Sequence, residues 1–189
     1  PAFVEAAPIP ADPTSAVAAD EAATTQIRAV IEAFRTAIIN RDQPAFERLF
    51  LHEHITWQPV TADAALQRIR QKAPTAQKLK VDANRTPYSF IAGIVASKNS
   101  SEETFDNVKI DTDGDLASVV FDYAFLSNGK ETNHGKEAWH LLRTQDGRRR
   151  FEWVGGRLIQ RSALDPDREW VMSLVKDTVT PGNKHYNEK

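Results

Sequence analysis

Apolar residues recur at every third or fourth position near the start of the chain. Ile27, Val30, Ile31, Phe34 and Ile38 form one such stripe. This spacing is typical of an amphipathic helix with one face on a core, and we expect the helix to end near Asn40.

Shorter elements follow this helix. Asp42 precedes the segment QPAFERLF and predicts a capped helix, whose inward side chains are Phe46, Leu49 and Phe50. Residues 54–60 alternate as a strand does, whereas residues 62–85 fit a strand or a loop equally well. Thr86-Pro87 predicts the start of a third helix over YSFIAGIVASK.

Residues 104–161 alternate between apolar and polar positions and predict three antiparallel strands. Asn128-Gly129 and Asp146-Gly147 lie between the alternating runs, and such pairs favour two-residue hairpin turns. Pairing Ser127 with Lys130 then places Tyr123 opposite His134, and the second turn places Lys136 opposite Arg157. In this register one face carries Val119, Phe121, Tyr123, Phe125, His134, Lys136, Ala138, His140, Leu142, Phe151, Trp153, Arg157 and Ile159. We expect this face to be the concave, ligand-facing side of the sheet.

The two ends of the chain differ from its middle. Asp165-Pro166 predicts a C-terminal helix over DREWVMSLVKD, and the last residues form a tail. The first 26 residues are rich in Ala and Pro and contain no Lys or Arg, as in a tether that remains after removal of a signal peptide. We therefore expect an extension (1–23), one domain (24–180) and a tail (181–189), in a periplasmic or secreted protein or, alternatively, a cytoplasmic one.

Composition limits the classes of partner. A net charge of −2 and a pI near 6.3 give no electrostatic argument for nucleic acid or for an anionic membrane. No apolar run approaches the roughly 20 residues of a membrane-spanning helix. The absence of cysteine excludes disulfides, thiol nucleophiles and cysteine-ligated metals.

The order helix, helix, strand, variable segment, helix and antiparallel meander resembles the nuclear transport factor 2-like superfamily, and within it a small bacterial branch. The segments that carry the resemblance are VIEAFRTAIINRDQPAFERLF, GDLASVVFDYAF and NHGKEAWHLLRTQDG, within residues 24–161. The resemblance implies an α+β, cystatin-like fold, in which a curved, mostly antiparallel sheet wraps with the N-terminal helices into a cone around a pocket. It also implies a homodimer through the sheet, for which Val120, Trp139 and Leu141 are the apolar candidates. It does not fix a reaction.

Three enzymes or enzyme groups of this superfamily place acids or tyrosines in the cone. The chain resembles ketosteroid isomerase in layout. At the positions that correspond to the tyrosine, the general base and the acid of that enzyme, it holds Phe34, Gln58 and His140, in that order. Phenylalanine has no proton to donate and glutamine is not a base, so that mechanism is not supported. Scytalone dehydratase and the polyketide cyclases need an acid, and no Asp or Glu of the three strands falls on the expected pocket face. An acid would have to come from Asp63, Asp82, Asp106 or another residue of 62–110.

We therefore expect a non-catalytic binding domain, whose pocket takes a small, largely apolar molecule. Lys136 opposite Arg157 favours an anionic group on that ligand. The expected ligand-binding residues are Phe34, Gln58, Phe121, Tyr123, His134, Lys136, His140, Trp153 and Arg157. The alternatives are an isomerase or lyase, with His140 or His134 as base and Tyr123 as donor, and a structural domain whose cone is filled by its own aromatic side chains.

Metal and cofactor sites are not expected. His52-Glu53-His54 lacks a third ligand. The run DTDGD, residues 111–115, lacks the downstream glutamate of a calcium loop and is better interpreted as a turn between strands.

Overall fold

The computed structural model describes residues 13–79, 81–144, 150–154, 157–161 and 170–181. Its helices are α1 (Pro13–Asn40), α2 (Gln43–Glu47), α3 (Asp63–Arg70) and α4 (Pro87–Ala96). Its strands are β1 (Thr56–Thr61), β2 (Ser101–Thr112), β3 (Leu116–Ser127), β4 (Lys130–Arg143), β5 (Arg150–Val154), β6 (Arg157–Arg161) and β7 (Trp170–Pro181). Five strands form one sheet in the order β1-β7-β4-β3-β2, and β5 pairs with β6 in a second sheet. Only the β1–β7 pairing is parallel among these strands, so the expected mostly antiparallel α+β fold is confirmed.

Local sequence determines where the helices begin and end. α1 ends at Asn40 as expected, and Asp42 caps α2 by accepting a hydrogen bond from the Ala45 N–H at 2.9 Å. Thr86 caps α4 in a reciprocal box with Ser89, with donor–acceptor distances of 3.1 and 2.9 Å. The caps predicted at Asp42 and Thr86 are therefore confirmed.

The N-terminal helix is longer than the apolar stripe predicted. It begins at Pro13, so residues 13–26 are helical rather than an irregular tether. Alanine is the best helix former, and this segment is rich in it. The expectations for residues 1–12 lie outside the described residues.

The predicted C-terminal helix is wrong, because residues 170–181 form β7. This strand lies between β1 and β4 and is hydrogen-bonded on both sides. The segment contains several valines and threonines, which fit a pleated surface better than a helix. The Asp165-Pro166 cap that suggested a helix and residues 182–189 lie outside the described residues.

A β-bulge changes the register of the β3–β4 hairpin. Asn128-Gly129 makes the expected turn, with φ angles of 50° and 72°, and Ser127 pairs with Lys130. Leu126 then pairs with Glu131 but Phe125 pairs with Asn133, which leaves Thr132 as an extra residue. Because one extra residue moves every following side chain to the opposite face, the predicted register of β4 is wrong.

The partner of β4 on its other side also differs from the prediction. β4 pairs with β7, with Lys136 opposite Thr178 and His140 opposite Leu174. The predicted neighbours Trp153 and Arg157 belong to β5 and β6, which pair with each other. The predicted pairing of Lys136 with Arg157 is therefore wrong, and the Asp146-Gly147 turn lies outside the described residues.

The core lies between the helices and one face of the five-stranded sheet, which we call the inner face. Phe34 from α1 packs against Phe46 from α2 and Trp139 from β4, with ring centroids 4.8 and 5.0 Å apart. Phe105 and Phe121 complete this cluster from β2 and β3. The inner face is thus defined by the odd-numbered residues of β3 and, beyond the bulge, of β4.

Candidate functional site

Three partly exposed aromatic rings mark one region of the inner face. Trp57 of β1 lies 5.4 Å from Phe90 of α4, and Phe90 lies 6.0 Å from Phe125 of β3, measured between ring centroids. All three side chains pack against the core while keeping part of their surface in solvent. We call this set the aromatic rim. The part of these rings that solvent reaches is flat and apolar.

Behind the rim the inner face is closed by packed side chains. Phe34 and Trp139 are 0% exposed and Phe121 is 1% exposed. The predicted ligand-binding residues Phe34 and Phe121 therefore lie on the expected inner face, but within the core. The Trp139 Nε1 atom is buried and has no hydrogen-bond acceptor among the described residues.

Three buried polar side chains lie on the inner face, one of them directly opposite the rim residue Phe125, and we call them the inner polar group. Glu103 of β2 is opposite Phe125, and Tyr123 of β3 is opposite Gly135. Glu137 of β4 is opposite Phe121. Glu103 and Glu137 are each 5% exposed and Tyr123 is 6% exposed. Tyr123 is thus diagonal to one carboxylate on each neighbouring strand, within reach of long side chains.

The inner polar group contradicts one expectation from the sequence. No acid was expected on the pocket face of the three strands, yet Glu137 lies there because of the bulge at Thr132. Glu103 comes from the region 62–110 that was left open, whereas Asp63, Asp82 and Asp106 are exposed. Carboxylates with so little solvent contact need hydrogen-bond donors or cations as partners, because water no longer solvates them.

Three predicted site residues lie on the opposite, outer face of β4. His134 is opposite Ala124, Lys136 opposite Asp122 and His140 opposite Ser118, and the three are exposed. The prediction that they share a face with Tyr123 is wrong, because the bulge at Thr132 moves them to the outer face. His134 contacts Glu131 there, with 2.8 Å between Nδ1 and Oε1.

The outer face carries its own charge network around Asp122. The Lys136 ammonium donates to one carboxylate oxygen of Asp122, and the Asn107 amide donates to the other at 2.7 Å. The hydrogen bond from Lys136 makes the largest contribution to lowering the pKa of Asp122, and the hydrogen bond from Asn107 makes the next largest. Lys136 therefore has an anionic partner on its own sheet rather than a place in a pocket.

The remaining predicted ligand-binding residues are Gln58, Trp153 and Arg157. β1 directs Trp57 toward Phe50 and Phe90, so strand alternation directs Gln58 to the other side. The Gln58 amide donates to the Pro59 carbonyl oxygen at 3.1 Å. Trp153 and Arg157 lie on the paired strands β5 and β6 but are not opposite each other. Trp153 is opposite Leu158, and Arg157 is opposite Val154.

Two sequence motifs with possible metal chemistry have local explanations. The His54 Nε2 atom lies 2.9 Å from the Glu53 carboxylate, and the His54 N–H donates to His52 Nδ1 at 3.1 Å. Among the described residues there is no group of three or more side chains suited to a metal ion. Asp113 joins β2 to β3 in a turn, and its carboxylate accepts from the Leu116 and Asp115 N–H groups, which lowers its pKa.

The fold can be compared with known proteins. No family model matches the sequence, and no curated protein matches it. An NTF2-like protein with a cystatin-like fold from Novosphingobium aromaticivorans superposes with a TM-score of 0.55 at 11% identity, over 91% of this chain and 92% of that one. A nuclear transport factor 2 superfamily protein from Salmonella enterica serovar Typhimurium gives 0.50 at 14% identity, over 90% and 99%.

The chain has the nuclear transport factor 2-like fold.

The β subunit of a proposed aromatic-ring-hydroxylating dioxygenase from Novosphingobium aromaticivorans shares this fold, with a TM-score of 0.51 at 11% identity over 87% of this chain and 93% of that one. At such identities the likeness shows the fold alone, so the resemblance found in the sequence is confirmed at that level. None of the described helices combines the length and the apolar composition of a membrane-spanning segment.

Proposed function

We propose that this nuclear transport factor 2-like chain is a non-catalytic binding domain that takes a small, largely apolar molecule at the aromatic rim. The observation that carries the proposal is the contact series Trp57–Phe90–Phe125 directly beside buried Glu103. Partly exposed aromatic surface beside a few buried polar groups is the common composition of small-molecule sites.

The inner polar group favours a ligand with a hydrogen-bond donor or a cation. Glu103 and Glu137 supply carboxylate oxygens, which accept hydrogen bonds when ionised, and Tyr123 can donate or accept. The anionic ligand expected from the sequence depended on Lys136, which instead binds Asp122 on the outer face. We therefore propose that the polar group of the ligand is a hydrogen-bond donor or a cation rather than an anion.

Three ligands of matched shape test this proposal. They are 2-phenylethylamine, 2-phenylethanol and 3-phenylpropionate, which carry a cation, a neutral hydroxyl and an anion on the same phenylethyl group. We expect isothermal titration calorimetry to give the tightest binding for the amine and the weakest for the acid. Phe125→Ala should weaken all three about tenfold or more, because it removes a ring from the rim. Binding of none of the three, or binding unchanged in Phe125→Ala, would contradict the proposal.

Charge-neutral variants test the head-group preference separately. Glu137→Gln and Glu103→Gln keep the side-chain shape and remove the charge, so the amine should lose its advantage over the alcohol. Glu131→Gln on the outer side of the same hairpin is the matched control, since Glu131 is exposed, and it should bind as the unmodified chain does. If Glu137→Gln and Glu131→Gln weakened binding of the amine equally, binding would depend on the overall charge of the chain, and the proposed head-group preference would be contradicted.

A second candidate is an isomerase or lyase, favoured by the position of Tyr123 between two buried carboxylates. A carboxylate with restricted solvation is suited to act as a base, and a tyrosine can donate to a developing oxyanion. This version does not use His134 or His140. It requires turnover of a bound carbonyl compound that is lost in both Glu137→Gln and Tyr123→Phe.

We also propose a homodimer through the sheet, but its apolar contact residues differ from those expected from the sequence. Trp139 and Leu141 are buried, whereas Val120 is 42% exposed and Leu116 is 55% exposed on β3. Their exposed apolar surface supports a self-association site. Sedimentation equilibrium should give a dimer mass that Val120→Lys converts to a monomer mass.

A further inference from the structure

The charge of the chain is unevenly distributed. Residues 64–81 contain five cations, Arg68, Arg70, Lys72, Lys78 and Lys80, and neither Asp nor Glu. The other 19 Lys and Arg residues face 26 Asp and Glu residues, a balance of −7. An overall charge of −2 therefore hides a segment of +5, which we call the basic segment.

The described cations of the basic segment lie on the surface. α3 attaches it to the domain through buried Ala65 and Leu66, while Arg68, Arg70 and Lys72 are exposed. After a turn, the chain returns along β1, where the Thr61 N–H donates to the Lys78 carbonyl oxygen at 2.9 Å. Leu79 forms an antiparallel bridge with Val60. Arg68, Arg70, Lys72 and Lys78 thus belong to one unit made of α3, the following turn and the bridge to β1.

Two of the four described cations of the basic segment form side-chain contacts within the protein. Lys78 forms an exposed ion pair with Asp63, with 2.6 Å between Nζ and Oδ1. The Arg70 Nε atom donates to the Ala76 carbonyl oxygen. Because this oxygen is uncharged, the contact does not neutralise the positive charge of Arg70. Exposed ion pairs such as Lys78–Asp63 contribute little to folding.

Two apolar side chains stand among the cations. Val81 is 77% exposed and Leu79 is 47% exposed, and both are among the large apolar side chains that solvent reaches in the described chain. In sequence they alternate with Lys78 and Lys80. Lysine at a sheet edge prevents strand pairing between copies, but that role does not explain exposed valine and leucine between the lysines.

We propose that the basic segment docks the domain on an anionic membrane surface. Cations near such a surface are attracted by its negative potential, and apolar side chains between them enter the interface. A membrane satisfies the cations and the apolar pair together, without requiring a groove. A polypeptide of acidic residues alone, such as poly-glutamate, would satisfy the cations but would offer Val81 no apolar partner. The proposal does not depend on the ligand-binding function.

Co-sedimentation of the full chain with lipid vesicles tests this. We expect binding to phosphatidylcholine vesicles that contain about a third phosphatidylglycerol, none to pure phosphatidylcholine, and release at about 0.5 M NaCl. The double variant Arg68→Gln/Lys72→Gln should bind on the order of 20-fold more weakly, at about fivefold per cation. Val81→Asn, which changes no charge, should also weaken binding.

A matched control separates local charge from net charge. Lys98→Gln/Lys130→Gln removes two exposed cations outside the basic segment and should change binding less than about twofold, because these charges are not part of the proposed docking surface. Equal losses in the two double variants would overturn the proposal, as would absence of binding to the anionic vesicles. Binding of poly-glutamate by a chain that ignores the vesicles would assign the segment to an acidic polypeptide and overturn it too.

Discussion

Replacing Trp139 by alanine tests the observed register of β4. Trp139 is 0% exposed, and its ring centroid lies 4.9 Å from that of Phe121 and 5.0 Å from that of Phe34. Truncation of a buried tryptophan costs about 3–5 kcal/mol, and these ring pairs contribute to that loss. The indole N–H has no acceptor among the described residues, so the substitution also removes a buried donor, and we expect the lower end, about 3 kcal/mol.

His140 is the matched control, because it is the next residue and is exposed. We expect His140→Ala to cost no more than about 1 kcal/mol. Urea unfolding followed by far-UV circular dichroism measures both losses without depending on tryptophan emission. In thermal unfolding, Trp139→Ala should lower Tm by about 6–12 °C. A large loss for His140→Ala with a small one for Trp139→Ala would mean that β4 follows the unbulged register, and would refute the inner face described above.

Three further predictions concern the bulge, the charge network and a helix cap. Deleting Thr132 should cost only about 1 kcal/mol in urea unfolding, because it removes the extra residue and one hydrogen bond to the Phe125 carbonyl oxygen; a loss as large as that of Trp139→Ala would contradict this. The lowered pKa of Asp122 stabilises the fold above the ordinary aspartate pKa of about 4, and this stability is lost as pH falls through the lowered value. Asp122→Asn should therefore reduce stability at neutral pH, by an amount that shrinks in high salt and vanishes once the pH is below the lowered pKa of Asp122; a pH-independent difference would argue against the contact with Lys136. Thr86→Ala should cost about 1 kcal/mol in thermal unfolding, and no loss would show that the cap is dispensable.

Local patterns correctly predicted two helix caps and one hairpin turn, but they missed α3, because residues 62–85 were expected to form a strand or a loop. Asp42, Thr86 and Asn128-Gly129 each act through neighbours within three residues, so the chain around them contains the necessary information. The apolar stripe of α1 likewise predicted its buried face, where Ile27, Phe34 and Ile38 are each 0% exposed.

The site could not be predicted to the same extent, because it depends on one irregularity and one distant pairing. The bulge at Thr132 decides whether Glu137 or Lys136 faces inward, and alternation fits either choice. β7 becomes a strand because β1 and β4 bond it on both sides, which a local pattern does not reveal. Glu103 lies in a stretch that alternates weakly, so its burial depended on the pairing with β3.

The central claim is that a small molecule binds on the inner face, at the aromatic rim and beside the inner polar group. A crystal structure of the chain grown with 2-phenylethylamine tests it most directly. Our account predicts density for the phenyl ring against Phe90 and Phe125, with the ammonium group within hydrogen-bond distance of Glu103 or Glu137. Density on the outer face beside His134 and His140, or a rim closed by its own side chains with no ligand bound, would contradict it.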